Sequence, residues 1–419
     1  MKKWKKVISV ALSVAMIAVA LTACGNKEST GDSGSGDSSS DKAKVVFAYW
    51  GAESENAAIT KAVDDFRDNH PDIEVETQWM ESDYLTKVQT QIAGKTMADV
   101  YLMSGGDLSG FSDNFDAQDV DVSMYISENV VDALKVDGEV MARPFIAKPK
   151  VTAINKDLFA ENNVAVPEPG TIMTIEEYYN AIAAMTDASK EPQQFGSEAP
   201  WTGALMYSFD SSFYIENGTR SNLASPEAIA MADFIIDIKE KGFVPDNVQT
   251  EGQSMMEWFL SERIAIYTDF GPWYIPQMAE VQGFEWDLIT YPGNGGSKEI
   301  NGLSISSSSK NKEAAETFVK WMCESESAQR LLGGDKNAYG VPVNPNAVDS
   351  FLEMYPDKNM QAFIDAAYAQ TPQEAQKRTN EINSVLDEIY DETGVGTGTS
   401  APKDIFPGLA ERIDQILAQ

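Results

Sequence analysis

Residues 44–103 read KVVFAYWGAESENAAITKAVDDFRDNHPDIEVETQWMESDYLTKVQTQIAGKTMADVYLM. The run from Lys44 to Trp50 is short and apolar, as a buried strand requires. Ile59, Ala62, Val63 and Phe66 then recur at helical spacing. Ile73, Val75, Thr77 and Trp79 alternate with Glu74, Glu76 and Gln78, the period of two that marks a strand. Leu85, Val88 and Ile92 return to helical spacing, and Gly94 closes that helix. Asp99 to Met103 is a third strand. Strand, helix, strand, helix, strand implies a parallel sheet covered by helices, and so an α/β fold.

That order has a functional consequence, because ligands of open parallel sheets bind beyond the carboxyl ends of the strands. Trp50-Gly51 follows the first strand and Ser104-Gly105-Gly106-Asp107 follows the third, so both belong to one edge. A tryptophan, a loop of small residues and a carboxylate there suit a polar ligand. The middle of the chain reads alike. Ser225-Pro226-Glu227 begins a helix with a Ser cap, Pro at the first position and an acid in the first turn. That helix runs through Phe234 and Ile235 to Gly242, a C-terminal stop. Arg263 to Thr268 is another apolar strand, followed by Asp269-Phe-Gly-Pro-Trp273. Asn301-Gly302-Leu303-Ser304-Ile305 precedes a Ser-rich turn and a helix from Lys312. The last 70 residues look mostly helical, and no internal repeat is visible.

Before this body stands a leader. Lys2, Lys3, Lys5 and Lys6 form a basic head, Val7 to Leu21 an apolar run broken only by Ser9 and Ser13, and Leu21-Thr22-Ala23-Cys24 a small-residue ending. This is the layout of a secretory signal over residues 1–23, shorter than the ~20 apolar residues of a spanning helix. The ending resembles a bacterial lipobox, which implies acylation of Cys24. Within residues 24–43, Gly25 to Lys42 is almost entirely Gly, Ser, Asp, Asn, Thr, Lys and Glu, which cannot bury enough apolar surface to offset their ordering entropy. They are expected to act as a tether of roughly 20 Å span.

About 375 residues remain, too many for one ordinary core and enough for two. The leader's four lysines leave 28 basic against 65 acidic side chains, a net charge near −37. Such a surface repels nucleic acid and anionic lipid headgroups, which excludes nucleic-acid binding. With Cys24 taken by lipid, only Cys323 is left, so no intrachain disulfide is possible; it reads as a buried thiol on a helix. The single histidine, His70, falls in a helix-to-strand turn. Multi-histidine metal centres are therefore impossible, a Ser-His-Asp triad lacks its base at a site, and no cofactor is expected. Chemistry by two carboxylates survives this argument.

Several segments resemble the extracytoplasmic solute-binding proteins of ABC importers, the class that includes maltose-binding protein. Phe66-Arg-Asp-Asn-His-Pro-Asp-Ile-Glu-Val75 is similar to the family's F-x-x-x-x-P-x-I-x-V opening. Val88-Gln-Thr-Gln-Ile-Ala-Gly94 through Ala98-Asp99-Val100 resembles its next element, with Ala98 in place of the usual proline. Asn155-Lys156-Asp157-Leu158-Phe159 and Thr174-Ile-Glu-Glu-Tyr178 resemble a third, with Ile175 where tryptophan is common. Glu262-Arg-Ile-Ala-Ile through Gly271-Pro272-Trp273 resembles a fourth. The resemblance covers Val45 to the C-terminus.

It implies a two-lobed periplasmic-binding-protein-like fold, hinged, with the ligand in the interlobe cleft. Crossings are expected near Ile146-Ala147, Asn301-Gly302 and Tyr339-Gly340. Lobe 1 would hold 44–147 plus 303–340, and lobe 2 would hold 148–302 plus 341–419. Resemblance and position together nominate Trp50, Glu53, Asp107, Trp201, Asp269, Trp273 and Asn301 as ligand-binding residues, with Trp273 the foremost stacking ring. Trp4, Trp79, Trp258, Trp286 and Trp321 read as core. Arg143, Lys148 and Lys150 read as surface charges balancing an acidic protein, with pairing to an anionic ligand as the other reading. Residues 195–222, rich in Phe, Tyr, Ser and Asn, are candidates for shaping specificity.

The implied function is non-enzymatic. It is capture of an oligosaccharide by a monomer anchored through its N-terminal lipid to the extracellular face of the membrane, and delivery to separate permease subunits. A lipid-anchored binder suits a single-membrane, Gram-positive cell. The rival readings are a binding protein for a polyamine, amino-acid derivative or polyol phosphate, a carboxylate-based glycoside hydrolase, and an adhesin or sensor on the same fold.

Overall fold

The computed structural model describes residues 42–419, except 217, 247, 251–252, 279–280, 335–338, 373–375 and 377. Trp4, Cys24, the leader and most of the tether lie outside the described residues.

The first unit follows the order read from residues 44–103: β1 (Ala43–Trp50), α1 (Glu53–Asn69), β2 (Ile73–Met80), α2 (Tyr84–Gly94), β3 (Val100–Ser104) and the short α3 (Gly105–Leu108). β1 pairs in parallel with β2 and with β3. Alternation explains how the sheet is covered on both faces. Val45, Phe47 and Tyr49 pack with Ala58, Ile59, Ala62, Val63 and Phe66 of α1, while Ala48 joins a second cluster with Tyr84 and Val88 of α2. Each fully buried side chain of this kind contributes roughly 1.5–3 kcal/mol. His70 ends α1 and stacks on Phe66 with ring centroids 4.5 Å apart.

β4 (Arg143–Pro149) also belongs to this sheet, and one residue later β5 (Val151–Asn155) opens a different one. Asn155 caps the next helix, α4 (Lys156–Glu161), its Oδ1 accepting from the amides of Asp157 and Leu158 at 3.0 Å each. After α5 (Ile175–Met185), β6 (Phe195–Ser197) and α6 (Thr202–Leu205) comes α7 (Pro226–Glu240). Its Ser225 Oγ accepts from the amide of Ala228 at 3.1 Å, as the cap signature requires. β7 (Ile264–Phe270) and β8 (Trp286–Ile289) complete the second sheet, in the order β8-β5-β7-β6.

The chain then returns. β9 (Ser297–Ile305) lies antiparallel between β3 and β4, so the first sheet is mixed rather than purely parallel. α8 (Lys312–Glu324) and α9 (Glu326–Gly333) pack on it beside α1, with Cys323 of α8 buried as a free thiol. β10 (Val341–Pro342), α10 (Gln361–Ala369) and β11 (Thr371–Pro372) follow; β10 pairs with β4 and β11 with the start of β9. α11 (Thr379–Glu392) and α12 (Pro402–Leu417) close the chain in one apolar cluster with residues of α6 and α7.

Among the described residues the two larger sheets thus have seven and four strands. The change of sheet falls at Lys150 and within residues 290–296, and Asn301 stands in the interior of β9, opposite Ser104. Two expectations need correction. Trp79 is 38% exposed, its indole N–H donating to Gly51 O at 2.8 Å, because it sits near the end of β2, an outer strand of the sheet. Trp258 and Trp286 are core; Trp321 is half-buried. Arg143 and Lys148 are not surface charges either. All seven residues of β4 are buried, since both its faces are covered, and each cation there has found partners inside the protein.

Candidate functional site

The carboxyl ends of the two sheets meet at the crossings. Trp50, Met80 and Ser104 end the three parallel strands. Because β9 runs antiparallel to β3 and pairs Asn301 with Ser104, its first residues project past that edge, where Glu299 pairs with Lys148 at the end of β4. In the second sheet Phe270 pairs with Val151, so β7 ends where β5 begins. β6 runs parallel to β7 and ends on the same side, delivering Glu198 and Trp201 there.

Three adjoining cavities at this edge share Asp107. One, of about 560 Å³, is lined by the rings of Trp201, Tyr207, Phe213, Tyr214 and Tyr390 and by Gln376, Thr379, Asn383 and Asp387. A second, of about 470 Å³, is lined by Trp50, Asp83, Tyr84 and Glu299 among others. A third, of about 460 Å³, has Gln89, Gln376, Arg378 and Glu381 in its walls. A hollow of about 410 Å³ among residues 164–181 touches none of the strand ends. Apolar rings with a few convergent polar groups are the composition of a small-molecule site.

Asp107 is the shared wall. Burial, and after it the negative charge of Glu299, pushes its carboxyl up to about 6, so it accepts hydrogen bonds at neutrality and gains a donor as pH falls through 6. Trp50 borders the second cavity and packs on Tyr84 with centroids 4.9 Å apart. Trp201 is 39% exposed. Its ring lies across Gly203, where a Cβ would stand 2.5 Å from Cζ2; Trp273 lies across Gly271 in the same way, with 2.2 Å to Cζ3. Glycine is the residue that admits both rings. Trp273 is half-buried beside the crossing and, among the described residues, lines none of these cavities. Glu53 is exposed on the first turn of α1 and lines none either. Asn301 is fully buried, its Nδ2 donating to the Tyr339 hydroxyl at 3.1 Å.

The basic residues organise the floor. Lys148 Nζ donates to Glu55 Oε1 at 2.6 Å, lies 4.1 Å from the centroid of the Tyr339 ring and 5.9 Å from that of Trp273. The other oxygen of Glu55 accepts from the amide of Ala52 at 2.8 Å, at the start of α1. Burial works against the charge of Lys148, but Tyr339 and the Glu55 carboxylate outweigh it, and the ammonium is held above its ordinary value. Arg143 pairs with Glu324 and donates to Asp119 O at 2.7 Å. Lys150 pairs with Asp269, and its ammonium sits 4.2 Å from the centroid of the Trp201 ring. Burial raises the Asp269 carboxyl, and Lys150 opposes the rise.

Glu198, which sequence reasoning did not single out, locks the two strand ends of the second sheet together. Its Oε1 accepts from the Thr268 amide at 2.8 Å and from the Thr268 hydroxyl at 2.5 Å, while Ser197 Oγ donates to Oε2 at 2.9 Å. Burial outweighs these donors and raises the carboxyl to about 7. The folded state therefore holds a proton that a free glutamate, near 4.5, has released. Stability present below the unfolded value is lost as pH rises towards 7, a swing of ~2–3 kcal/mol. Glu198→Gln should remove that component. In urea unfolding, its stability relative to the parent should climb between pH 5 and 7.5; a constant difference across that range would show that Glu198 does not carry the proton.

The polar wall of α11 was also missed, though its signal was in the sequence. Thr379, Asn383, Asp387 and Tyr390 recur at helical spacing and line one cavity together. Residues 195–222 supply Trp201, Tyr207, Phe213 and Tyr214 to that same cavity.

Two α/β sheets, linked by crossing segments and sharing a cleft at their strand ends, define a two-lobed periplasmic-binding-protein-like fold. The chain belongs to the bacterial extracellular solute-binding protein family, whose model matches residues 50–329. Solved structures agree in fold. An ABC substrate-binding protein from Listeria monocytogenes, in complex with cycloalternan, superposes with a TM-score of 0.79 at 23% identity, covering 90% of this chain and 100% of that one. The GacH receptor of Streptomyces glaucescens, solved unliganded and with acarbose, gives 0.74 at 17%, covering 90% and 99%. The sugar-binding protein MalE of Xanthomonas citri gives 0.73 at 19%, covering 90% and 97%.

Proposed function

We propose that this chain is the non-enzymatic receptor of an ABC importer, taking an oligosaccharide into the cleft and handing it to separate permease subunits. The observation that carries the reading is the cavity where five aromatic rings face Gln376, Thr379, Asn383, Asp387 and Asp107. A sugar offers a C–H face to rings and hydroxyls to amides and carboxylates. Each net hydrogen bond contributes ~1 kcal/mol, more when one partner is charged. Micromolar affinity needs about 8 kcal/mol, within reach of two stacked rings and several polar contacts. The binding proteins from Listeria, Streptomyces and Xanthomonas, solved with or named for carbohydrate, support the same class of ligand.

In this reading each sheet is the core of one lobe, with the boundaries at Lys150, residues 290–296 and after Pro372 rather than at Ile146-Ala147, Asn301-Gly302 and Tyr339-Gly340. Cys24 carries the lipid that holds the monomer at the outer face of the membrane.

Thermal melting of residues 43–419 against oligosaccharides, and then polyamines, amino acids and sugar phosphates, tests the ligand class. A ligand at a hundred times its Kd should add ~2.7 kcal/mol, a shift of a few degrees in a chain this long. A shift with one sugar family is expected. A shift with a polyamine or sugar phosphate, and none with sugars, would overturn the carbohydrate assignment.

A further inference from the structure

We propose that Gln370 is a positioning residue for ligand binding. Its single side-chain amide clasps both crossing segments and, through Lys150, holds Trp201 in place. The proposal rests on the cleft being the ligand site.

Gln370 stands at the end of α10, one residue before β11, and is only 8% exposed. Its Oε1 accepts from the amide of Lys150 at 3.2 Å, and its Nε2 donates back to Lys150 O at 2.6 Å. The same Nε2 reaches Gly295 O at 3.4 Å. One planar amide thus satisfies both backbone groups of the first crossing residue and touches the second crossing. The next residue, Thr371, pairs with Ser297 of β9, so the clasp is seated on the first sheet.

The second crossing is shaped to receive it. Gly296 has φ +86, and a Cβ there would stand 2.3 Å from Gln370 Nε2. Gly293 also has a positive φ, +66. Such backbone is open to glycine and strained for other residues, so residues 293–296 combine freedom to rotate with room for the amide.

From Lys150 the contacts run on into the cleft. Its backbone is held by Gln370, and its ammonium meets the Asp269 carboxylate and the Trp201 ring. Any movement of one sheet against the other turns the backbone at Lys150, and the clasp limits that turn. The chemistry calls for glutamine. Glutamate keeps the acceptor but loses both donors, and leucine loses everything but volume.

The test compares the parent with Gln370→Leu and Gln370→Glu in the mature soluble chain. Without ligand, hydrogen exchange at the Lys150 amide and the radius of gyration in solution are measured. With the sugar found by melting, the dissociation rate is added. Gln370→Leu should unprotect the Lys150 amide and broaden the scattering profile. It should also speed dissociation roughly tenfold, the loss expected from about two hydrogen bonds. Gln370→Glu keeps the volume but sets a carboxylate against the carbonyl oxygens of Lys150 and Gly295, so it should loosen the clasp at least as far as Gln370→Leu. A purely structural bond would lower the melting temperature and leave dissociation unchanged, which would overturn the proposal. Unchanged exchange and scattering in both variants would overturn it too. Those two measurements need no ligand, so they decide the clasp even if every sugar fails to bind.

Discussion

Lys148→Met should cost about 3–5 kcal/mol of stability, the penalty for leaving a buried charge without its partner. Lys148 and Glu55 have side chains only 6% and 8% exposed, and their contact is 2.6 Å. Methionine matches the length of the lysine stem, so little packing is lost, and the cost falls on Glu55. Its carboxylate would keep the amide of Ala52 as a donor and lose the ammonium. The double variant Glu55→Gln/Lys148→Met removes both charges and keeps an acceptor for Ala52. It should recover most of the loss, because an isolated charge costs more than a missing pair contributes. Urea unfolding at pH 7 measures all three proteins, and the effect should be nearly independent of salt since buried pairs are poorly screened. A single-variant cost below ~1 kcal/mol would mean that water reaches Glu55.

Trp201→Ala should weaken ligand binding by ~2–3 kcal/mol, roughly 30- to 150-fold, as truncation of a central aromatic anchor does. The ring borders the cavity with five aromatic walls, is braced on one side by Lys150, and lies over Gly203. Being 39% exposed, it should contribute little to the unliganded fold, so melting without ligand should change by a few degrees at most. Calorimetric titration with the sugar identified by melting gives the affinity. Trp273→Ala is the comparison. That ring is half-buried next to Lys148, and its loss should lower stability more than Trp201→Ala does. Equal affinity of Trp201→Ala and parent would remove this ring from the site.

Local periodicity made the strand and helix order of residues 44–103 legible, since a buried strand and an amphipathic helix each write their face into the sequence. Capping chemistry did the same at Ser225, where a short side chain satisfies the amide three residues away. The strand-end rule put Trp50 and Asp107 at the edge where the cavities lie, because loop position follows from strand order, while Trp201, in another cavity wall, was nominated by resemblance. The stripe on α11 was equally local and could have been read.

What only the tertiary structure decided is which charges meet. In a chain with 65 acids, no spacing singles out Glu55 for Lys148, 93 residues away, or Glu198 for Thr268, 70 residues away. The same limit hid the burial of Arg143 and Lys148, two charges that read as surface until both faces of their strand are covered. It also hid the grip of Gln370 on Lys150 across 220 residues. Backbone propensity acts over a few residues and is written in order along the chain. Burial of a charge, and the partner that makes it tolerable, depend on segments brought together only by folding.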